Sequence, residues 1–450
     1  MRFCEAGANA KGRISVSMLP GQTACPCVDV PELPSLPVAK PAANDHTRTA
    51  LTVLALCLTL NLIGRGTADT YVVFLLPLEQ DLGWTRSQLT SVYAVYLLVN
   101  GLTAPAIGFL FDRIGPRWVY GIGMAGLGAA YLLAARITNM WQFFATIGAI
   151  TGFAVASLGM VPSSGLLARW FRERLSSAIS VAFAGMGLGA LLIVPAVQYL
   201  LQKHGWRDTY QIMGIVLLCL VPLILSMPWR RFTEGHPDYG GARRGSAAGQ
   251  LDWTLGRAVR SANFWSLVWI FFLTSVGMFS VTVQTVVYLV EQGFSPIASA
   301  TVFGTAAMLS VVGIVSTGAL SDRYGARRTV TVTYCGSIAG ILVLLLMSWR
   351  PQPELLFAYA IVFGLCQGAR GPIISSMTTR LFAGSHVATI YGVIYASNAF
   401  GAGLGALMGG VMHDLTGSYR PGFALSICCL VAACLPFWRV AALRNFRTRA

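Results

Sequence analysis

The amino-acid sequence predicts an all-α membrane protein in which twelve transmembrane helices form two pseudo-symmetric six-helix bundles. Three observations predict this fold class: the composition, the number of long apolar runs and an internal repeat. Of 450 residues, 55% are hydrophobic and only 11% are charged, and the mean hydropathy is +0.64. A soluble protein carries about 25% charged residues, so the deficit is typical of a chain that crosses a bilayer several times.

The apolar runs are long enough to cross a bilayer, which takes about 20 residues in a helix. Six runs precede a polar segment and six follow it. We predict the spans at Thr49–Leu78, Ser87–Phe111, Trp118–Ala135, Ile137–Ala168, Leu175–Gln202, Thr209–Trp229, Ser261–Val290, Gln292–Ser321, Thr329–Trp349, Leu355–Thr379, Leu381–His413 and Pro421–Trp438.

The polar segments set the predicted domain boundaries. The parts are a disordered cytoplasmic tail at 1–48, a first bundle at 49–229, a cytoplasmic linker at 230–260, a second bundle at 261–440 and a cytoplasmic tail at 441–450. Residues 1–48 are rich in Pro, Ala and Ser and lack the apolar core that a signal peptide requires.

Basic residues are concentrated on one side of the predicted membrane. Near the span ends, 21 Lys and Arg lie in the tails, the linker and the loops of that side, against 6 on the other side. By the positive-inside rule, both termini and the linker are cytoplasmic, in a multi-pass inner-membrane protein. The net charge of +15 therefore reflects topology. Nucleic-acid binding is not indicated, since no basic stripe with base-stacking residues is present.

An internal repeat relates the two halves. GFLFDRIGPRW (108–118) follows the second span and GALSDRYGARR (318–328) follows the eighth, at an offset of 210. ARWF (168–171) and TRLF (379–382) follow the fourth and tenth spans at an offset of 211. GLGAL occurs at 187–191 and again at 403–407, in the fifth and eleventh spans.

Twelve spans arranged as six plus six, with Gly-x-Leu-x-Asp-Arg-x-Gly-x-Arg after the second and the eighth, resemble the major facilitator superfamily. DLGWTRSQLTSVYAV (81–95), ARWFRERLSSAIS (168–180) and HGWRDTYQIMG (204–214) look like its bacterial branch, which is similar to monocarboxylate and oxalate–formate carriers. One departure is that the eighth span here has no charged residue, whereas animal monocarboxylate carriers have an aspartate and an arginine there. The resemblance implies the major facilitator fold and secondary transport of a small organic anion.

The repeated loops predict a conformational gate. Glycine permits close helix approach and tight turns, and an aspartate at a span end can pair with an arginine or meet a neighbouring helix N-terminus. The predicted gate residues are Gly108, Asp112, Arg113, Gly115 and Arg117 in the first loop and Gly318, Asp322, Arg323, Gly325, Arg327 and Arg328 in the second. The glycine-spaced segments at 184–195 and 400–410 are expected to pack against other helices.

Two arginines predict the substrate site. Arg65 in the first span and Arg370 in the tenth lie near the bilayer midplane, where a charge costs about 2.5–3.5 kcal/mol and therefore faces the protein interior or a watery cavity. In the resembling fold, the first, fourth, seventh and tenth spans line the central cavity. Guanidinium groups bind carboxylates bidentately, and Gln367 lies on the same helix face as Arg370.

Asp69, at i+4 from Arg65, can neutralise that arginine when the cavity is empty. Burial favours the neutral carboxyl and an adjacent guanidinium favours the charged one, so Asp69 is also the candidate for proton coupling. A purely structural Arg65–Asp69 pair remains open. Tyr391 and Tyr395 in the eleventh span are expected to pack rather than bind.

We therefore predict a secondary transporter, expected to be monomeric, that moves a small and preferably anionic solute by alternating access. No catalytic constellation, metal-ligand spacing or nucleotide-binding motif is present in the sequence, so neither an enzyme nor a cofactor is expected. One alternative is a proton-driven exporter of drugs or other amphipathic compounds, which predicts an apolar cavity with structural arginines. A membrane sensor without transport is a second, and the lack of a sizeable soluble domain argues against it.

Overall fold

Helices account for the regular structure of the protein in the computed structural model, which describes residues 43–84, 86–172, 174–235, 253–350, 352–368, 370–384 and 386–444. No strand occurs in these ranges. The predicted tail up to residue 42, most of the predicted linker and the last six residues lie outside the described ranges. The bundle boundaries at 49–229 and 261–440 therefore stay a prediction.

Twelve helical segments among the described residues correspond to the predicted spans. Ten helical segments are long and apolar enough to cross a membrane. One of them, Leu175–Ser226, is two spans, because Gly205 interrupts it with φ 75° and ψ 175°. Pro116–Ala134 supplies the twelfth, since its 19 residues extend about 28 Å.

The structure places the spans close to their predicted positions. In chain order they are His46–Leu82, Arg86–Ile114, Pro116–Ala134, Met140–Leu167, 175–204, 206–226, Ala262–Glu291, Pro296–Tyr324, Ala326–Met347, Pro353–Leu381, Val387–Thr416 and Arg420–Arg439. Short helices at Trp229–Glu234, Leu255–Val259 and Ala441–Arg444 lie outside the spans.

Helix breaks interrupt the first, fourth, seventh and tenth spans. The first breaks at Thr70, and the fourth at Gly159 after a π-helical segment, Phe144–Ile150. The seventh breaks between Thr282 and Thr285, and the tenth between Gln367 and Arg370. Breaks free backbone carbonyls, which a membrane protein tolerates where they are buried in protein or line a cavity. The breaks occupy equivalent positions in the two halves.

Glycines bring the fifth span against the first and the eleventh against the seventh, as the glycine-spaced segments predict. A Cβ atom on Gly189 would overlap the carbonyl oxygen of Leu62, and one on Gly405 would overlap that of Val276. Such close contact stabilises helix pairs that have no hydrophobic drive to associate within lipid. The two contacts lie at the repeat offset, so both halves use the same packing.

We expect Gly405→Val to destabilise the protein by about 3 kcal/mol, because the added side chain meets backbone that cannot move aside. Gly403→Val is the matched control, since nothing lies within 4 Å of a Cβ at that position of the same helix. Thermal unfolding of the purified protein in detergent measures the difference. Equal midpoints for the two variants would contradict the close crossing.

The segments DLGW (81–84) and HGWRD (204–208) contact each other at the end of the first bundle that lies opposite the repeated loops. Asp81, in DLGW, accepts hydrogen bonds through Oδ2 from Trp206 Nε1 at 3.0 Å and Arg207 Nη1 at 3.3 Å. Both donors belong to HGWRD. This contact joins the first connection to the connection between the fifth and sixth spans, within one half of the molecule.

Candidate functional site

Arg65 and Asp69 form an ion pair in the middle of the first span. Arg65 Nε lies 3.0 Å from Asp69 Oδ1, and the two side chains are 34% and 23% exposed. Arg65 Nη2 also reaches the hydroxyl of Tyr93 on the second span at 3.5 Å. Partial exposure of two charges at this depth places them on the wall of an accessible cavity.

Tyrosines from both halves surround the Arg65 guanidinium. Tyr93, Tyr96 and Tyr395 lie within electrostatic range of it. Tyr93 and Tyr96 come from the second span, and Tyr395 comes from the eleventh. The Tyr96 hydroxyl is buried and has no hydrogen-bond partner among the described residues. Tyr395 thus lies at the cavity beside Arg65, although its position in the sequence predicted only packing.

A cavity of about 30 Å³ lies beside the ion pair. Its wall includes Asn61, Arg65 and Asn100 from the first half and Tyr395 from the second. Met160 and Met186, from the fourth and fifth spans, add an apolar part. A cavity of this size holds water rather than an organic solute, so substrate binding here requires the spans to separate further.

Arg370 lies in a different environment, at the break in the tenth span. Its side chain is buried, with 2% exposure. Nη2 donates to Ser337 Oγ at 2.8 Å and to the carbonyl oxygen of Cys366 at 3.0 Å, and the guanidinium stacks over Tyr334 at 4.7 Å. Nε and Nη1 have no partner among the described residues. A buried guanidinium with two unpartnered donor nitrogens, and with no carboxylate partner among the described residues, is costly unless an anion joins it.

The structure does not bring Arg65 and Arg370 to one wall in this conformation. Arg65 faces the second and eleventh spans, whereas Arg370 points toward the ninth span through Ser337 and Tyr334. Gln367 ends the first segment of the tenth span, is partly exposed, and accepts from Arg370 Nη2 through its carbonyl at 3.5 Å. A shared anion site therefore needs a rearrangement at the break.

The aspartate of the first repeated loop contacts the opposite half. Asp112 Oδ2 accepts from the backbone N–H of Thr389 at 2.8 Å and from its hydroxyl at 2.7 Å. Thr389 lies in the first turn of the eleventh span, which begins at Val387. A carboxylate at a helix N-terminus satisfies an orphan donor and complements the helix dipole.

The second repeated loop makes the same contact in the reverse direction. Asp322 Oδ2 accepts from the backbone N–H of Ser177 at 2.8 Å and from its hydroxyl at 2.6 Å. Ser177 lies in the first turn of the fifth span, which begins at Leu175. The sequence left two kinds of partner open for these aspartates, an arginine or a helix N-terminus. Asp112 and Asp322 each bind a helix N-terminus of the other half. We call this pair of contacts the latch.

The glycines of the two loops permit the latch. A Cβ atom on Gly108 would overlap the carbonyl oxygen of Ala388, and one on Gly318 would overlap the hydroxyl of Ser180. Gly115 has φ 82° and Gly325 has φ 89°. This left-handed conformation suits glycine and lets each chain turn directly into the next span.

The loop arginines do not cross between the halves in the contacts that the structure describes. Arg113 and Arg117 stack on Phe109 and Trp118 of their own loop region. Arg323 stacks on Tyr324 and Arg327 on Trp438, within the second half. Arg328 is exposed.

Hydroxyl contacts extend the closure between the halves. Ser375 Oγ donates to Ser164 Oγ at 2.6 Å, and the hydroxyls of Ser176 and Ser376 lie 2.8 Å apart. The Arg380 guanidinium donates to the carbonyl oxygen of Arg172. The halves are therefore closed against each other at the end that carries the repeated loops, while Arg65 and Asp69 stay partly exposed.

The sequence interpretation did not predict the polar residues around Arg65, although their spacing along the helices indicates that they share a face. Tyr93, Tyr96 and Asn100 recur at i, i+3 and i+7 in the second span, and Asn61 precedes Arg65 by one turn. This spacing places them on common faces.

Comparison with known proteins agrees with this architecture. The Major Facilitator Superfamily profile matches residues 54–352 and 316–448. Monocarboxylate transporter 13 of Bos taurus is 24% identical over 367 residues, covering 82% of this chain and 83% of that protein. Monocarboxylate transporter 12-B of Danio rerio is 22% identical over 87% of each chain. The uncharacterized MFS-type transporter YcxA of Bacillus subtilis is 21% identical over 82% of this chain and 88% of that protein.

Solved structures with the same fold include two symporters. The proton:xylose symporter XylE superposes with a TM-score of 0.71 at 13% identity, covering 88% of this chain and 96% of that chain. The E. coli fucose:proton symporter FucP superposes with a TM-score of 0.68 at 16% identity, covering 86% and 98%. At this identity the likeness shows the fold alone. With the family profile spanning nearly all of the described spans, the chain belongs to the Major Facilitator Superfamily and is a multi-pass membrane transporter of a small molecule, not an enzyme.

Proposed function

We propose that this transporter moves a small organic anion, a carboxylate, across the inner membrane by alternating access, coupled to a proton. The observation that carries the proposal is the partly exposed Arg65 guanidinium in the middle of the first span, on a cavity wall shared with Tyr395 of the other half. A cation at this depth attracts an anion strongly, because little water screens it. The relatives named monocarboxylate transporters support this substrate class.

Asp69 supplies a means of proton coupling. Its Oδ1 lies 3.0 Å from the Arg65 Nε. A substrate carboxylate that takes over the guanidinium would leave Asp69 without its partner, and Asp69 is the group to which we assign the coupled proton. Entry of one anion with one proton adds no net charge to the cavity. The printed names of the two structural neighbours, both proton symporters, are consistent with such coupling.

Arg370 is the proposed second anion-binding group, with Gln367 beside it. Its vacant Nε and Nη1 and its lack of a carboxylate partner among the described residues support this role. Because Arg370 lies at the break in the tenth span, a rotation of the segment Arg370–Leu381 would turn the guanidinium away from the ninth span. Substrate binding would thereby be linked to movement of a cavity-lining helix.

The latch supports alternating access. In this conformation Asp112 and Asp322 tie the halves together at the end with the repeated loops, which the distribution of basic residues makes cytoplasmic. By the positive-inside rule, we expect both termini and the linker on that side. Release of the latch would open the cavity toward the cytoplasm, and we expect one chain to suffice because both halves of the site belong to it.

A proton-driven exporter of amphipathic compounds is the second candidate. The apolar part of the cavity wall, with Met160 and Met186, favours it because methionine adapts to varied apolar ligands. In that case Arg65 and Asp69 would be a structural pair.

Uptake into proteoliposomes separates the two candidates. We expect a panel of two- to six-carbon carboxylates to compete for uptake about tenfold better than their amides, because a hydrogen bond to a charged group contributes about 1.5–3 kcal/mol. Collapsing an imposed pH gradient should abolish accumulation. Equal competition by acids and amides, or transport of neutral amphipathic compounds alone, would contradict the anion proposal.

A further inference from the structure

A groove of about 400 Å³ lies between the seventh and twelfth spans, at the end of the second half that carries its repeated loop. Its wall includes Trp265, Trp269 and Leu273 from the seventh span, and Leu435 and Arg439 from the twelfth. The groove is separate from the Arg65 cavity, since none of its lining residues belongs to a span that lines that cavity.

The indoles on this wall face outward. Trp265 and Trp269 are 50% and 53% exposed, and Leu435 is 44% exposed. Trp265 Nε1 donates to the carbonyl oxygen of Val259 at 2.8 Å, which fixes that ring. The Trp269 indole N–H has no acceptor among the described residues, although it lies seven residues into the helix, about 10 Å from its start. At this depth the available acceptors are lipid ester carbonyls.

Positive charge lies at the mouth of the groove. Arg439 is the charged side chain in the lining, is exposed, and forms no ion pair among the described residues. The adjacent Trp438 turns the other way, donating to Thr331 Oγ1 of the ninth span at 3.2 Å. Arg260, also exposed, immediately precedes Ser261, the N-cap of the seventh span. No carboxylate belongs to the lining.

We propose that this groove binds one anionic phospholipid. Its phosphate lies at Arg439 and Arg260, a glycerol ester carbonyl accepts from the Trp269 indole, and an acyl chain follows Leu273 and Leu435. Basic pockets between spans on the cytoplasmic side suit anionic headgroups, whereas the cation of a zwitterionic headgroup gains nothing from a second arginine. The site is independent of the transported solute.

Native mass spectrometry of the purified full-length protein, titrated with phosphatidylglycerol or phosphatidylcholine, tests the site. We expect Arg439→Gln to weaken phosphatidylglycerol binding about fivefold and phosphatidylcholine binding less, because the choline cation offsets the phosphate charge that Arg439 attracts. Trp269→Phe should weaken both lipids, because both have ester carbonyls. Arg230→Gln, which changes an exposed arginine of the short helix Trp229–Glu234, is the control and should change neither.

Two results would overturn the proposal. Unchanged phosphatidylglycerol binding in Arg439→Gln, or an equal loss in Arg230→Gln, would show that general surface charge rather than the groove holds the lipid. A stable dimer in which Trp265 and Trp269 become inaccessible would assign the groove to a second copy of the chain.

Discussion

Replacing Arg65 with Gln should lower carboxylate uptake by at least about 100-fold, because the substrate loses two charge-assisted hydrogen bonds. Arg65→Lys should retain part of the activity, since it keeps the charge without the bidentate geometry. Uptake of the preferred carboxylate into proteoliposomes measures the effect. Arg350→Gln, which changes an exposed arginine outside the spans, is the control and should transport normally.

Misfolding can be separated from loss of binding at this site. Arg65→Gln leaves Asp69 without its ion-pair partner, and an uncompensated charge is destabilising. The double variant Arg65→Gln with Asp69→Asn removes that charge, so its thermal midpoint should recover while anion uptake stays lost. Recovery of uptake in the double variant would show that the pair is structural.

Arg370 can be tested by ligand-induced stabilisation. A substrate that binds the folded protein raises its thermal midpoint. If Arg370 binds the anion, Arg370→Gln abolishes this rise. If Arg370 only connects the break in the tenth span to Ser337, the variant lowers the midpoint of the substrate-free protein and keeps the rise.

Replacing Asp112 and Asp322 with Ala should release the closed end of the transporter. Each carboxylate accepts two hydrogen bonds from the other half, and each such bond contributes about 1.5–3 kcal/mol. We expect amide hydrogens near Ser177 and Thr389 to exchange at least about tenfold faster in the double variant. Hydrogen–deuterium exchange with mass spectrometry of peptides covering 175–181 and 386–392 measures this.

Asp81→Ala is the control for the latch. Asp81 also accepts two side-chain hydrogen bonds, from Trp206 and Arg207, but both donors belong to its own half. Its removal should leave exchange near Ser177 and Thr389 unchanged. Unaltered exchange in the Asp112 and Asp322 double variant would contradict the latch. If exchange near Ser177 and Thr389 became faster in Asp81→Ala as well, the effect would be general destabilisation.

Local properties of the chain were enough to predict the class of protein. The composition and the apolar runs predict a membrane protein of twelve spans, and the repeated Asp-Arg loops predict two related halves and the family. The depth of a charged residue in the bilayer also follows from its position along a span, so Arg65, Asp69 and Arg370 could be predicted as site residues. The glycine-spaced faces predicted close helix packing, and Gly189 and Gly405 provide it.

The tertiary structure alone decided which partners these residues meet. It shows that Asp112 and Asp322 bind helix N-termini of the opposite half, that Tyr395 reaches the Arg65 cavity, and that Arg370 turns toward the ninth span. Hydropathy and periodicity describe one helix at a time. The direction of a side chain within the bundle depends on how helices cross and where they break, which is set by packing between distant segments.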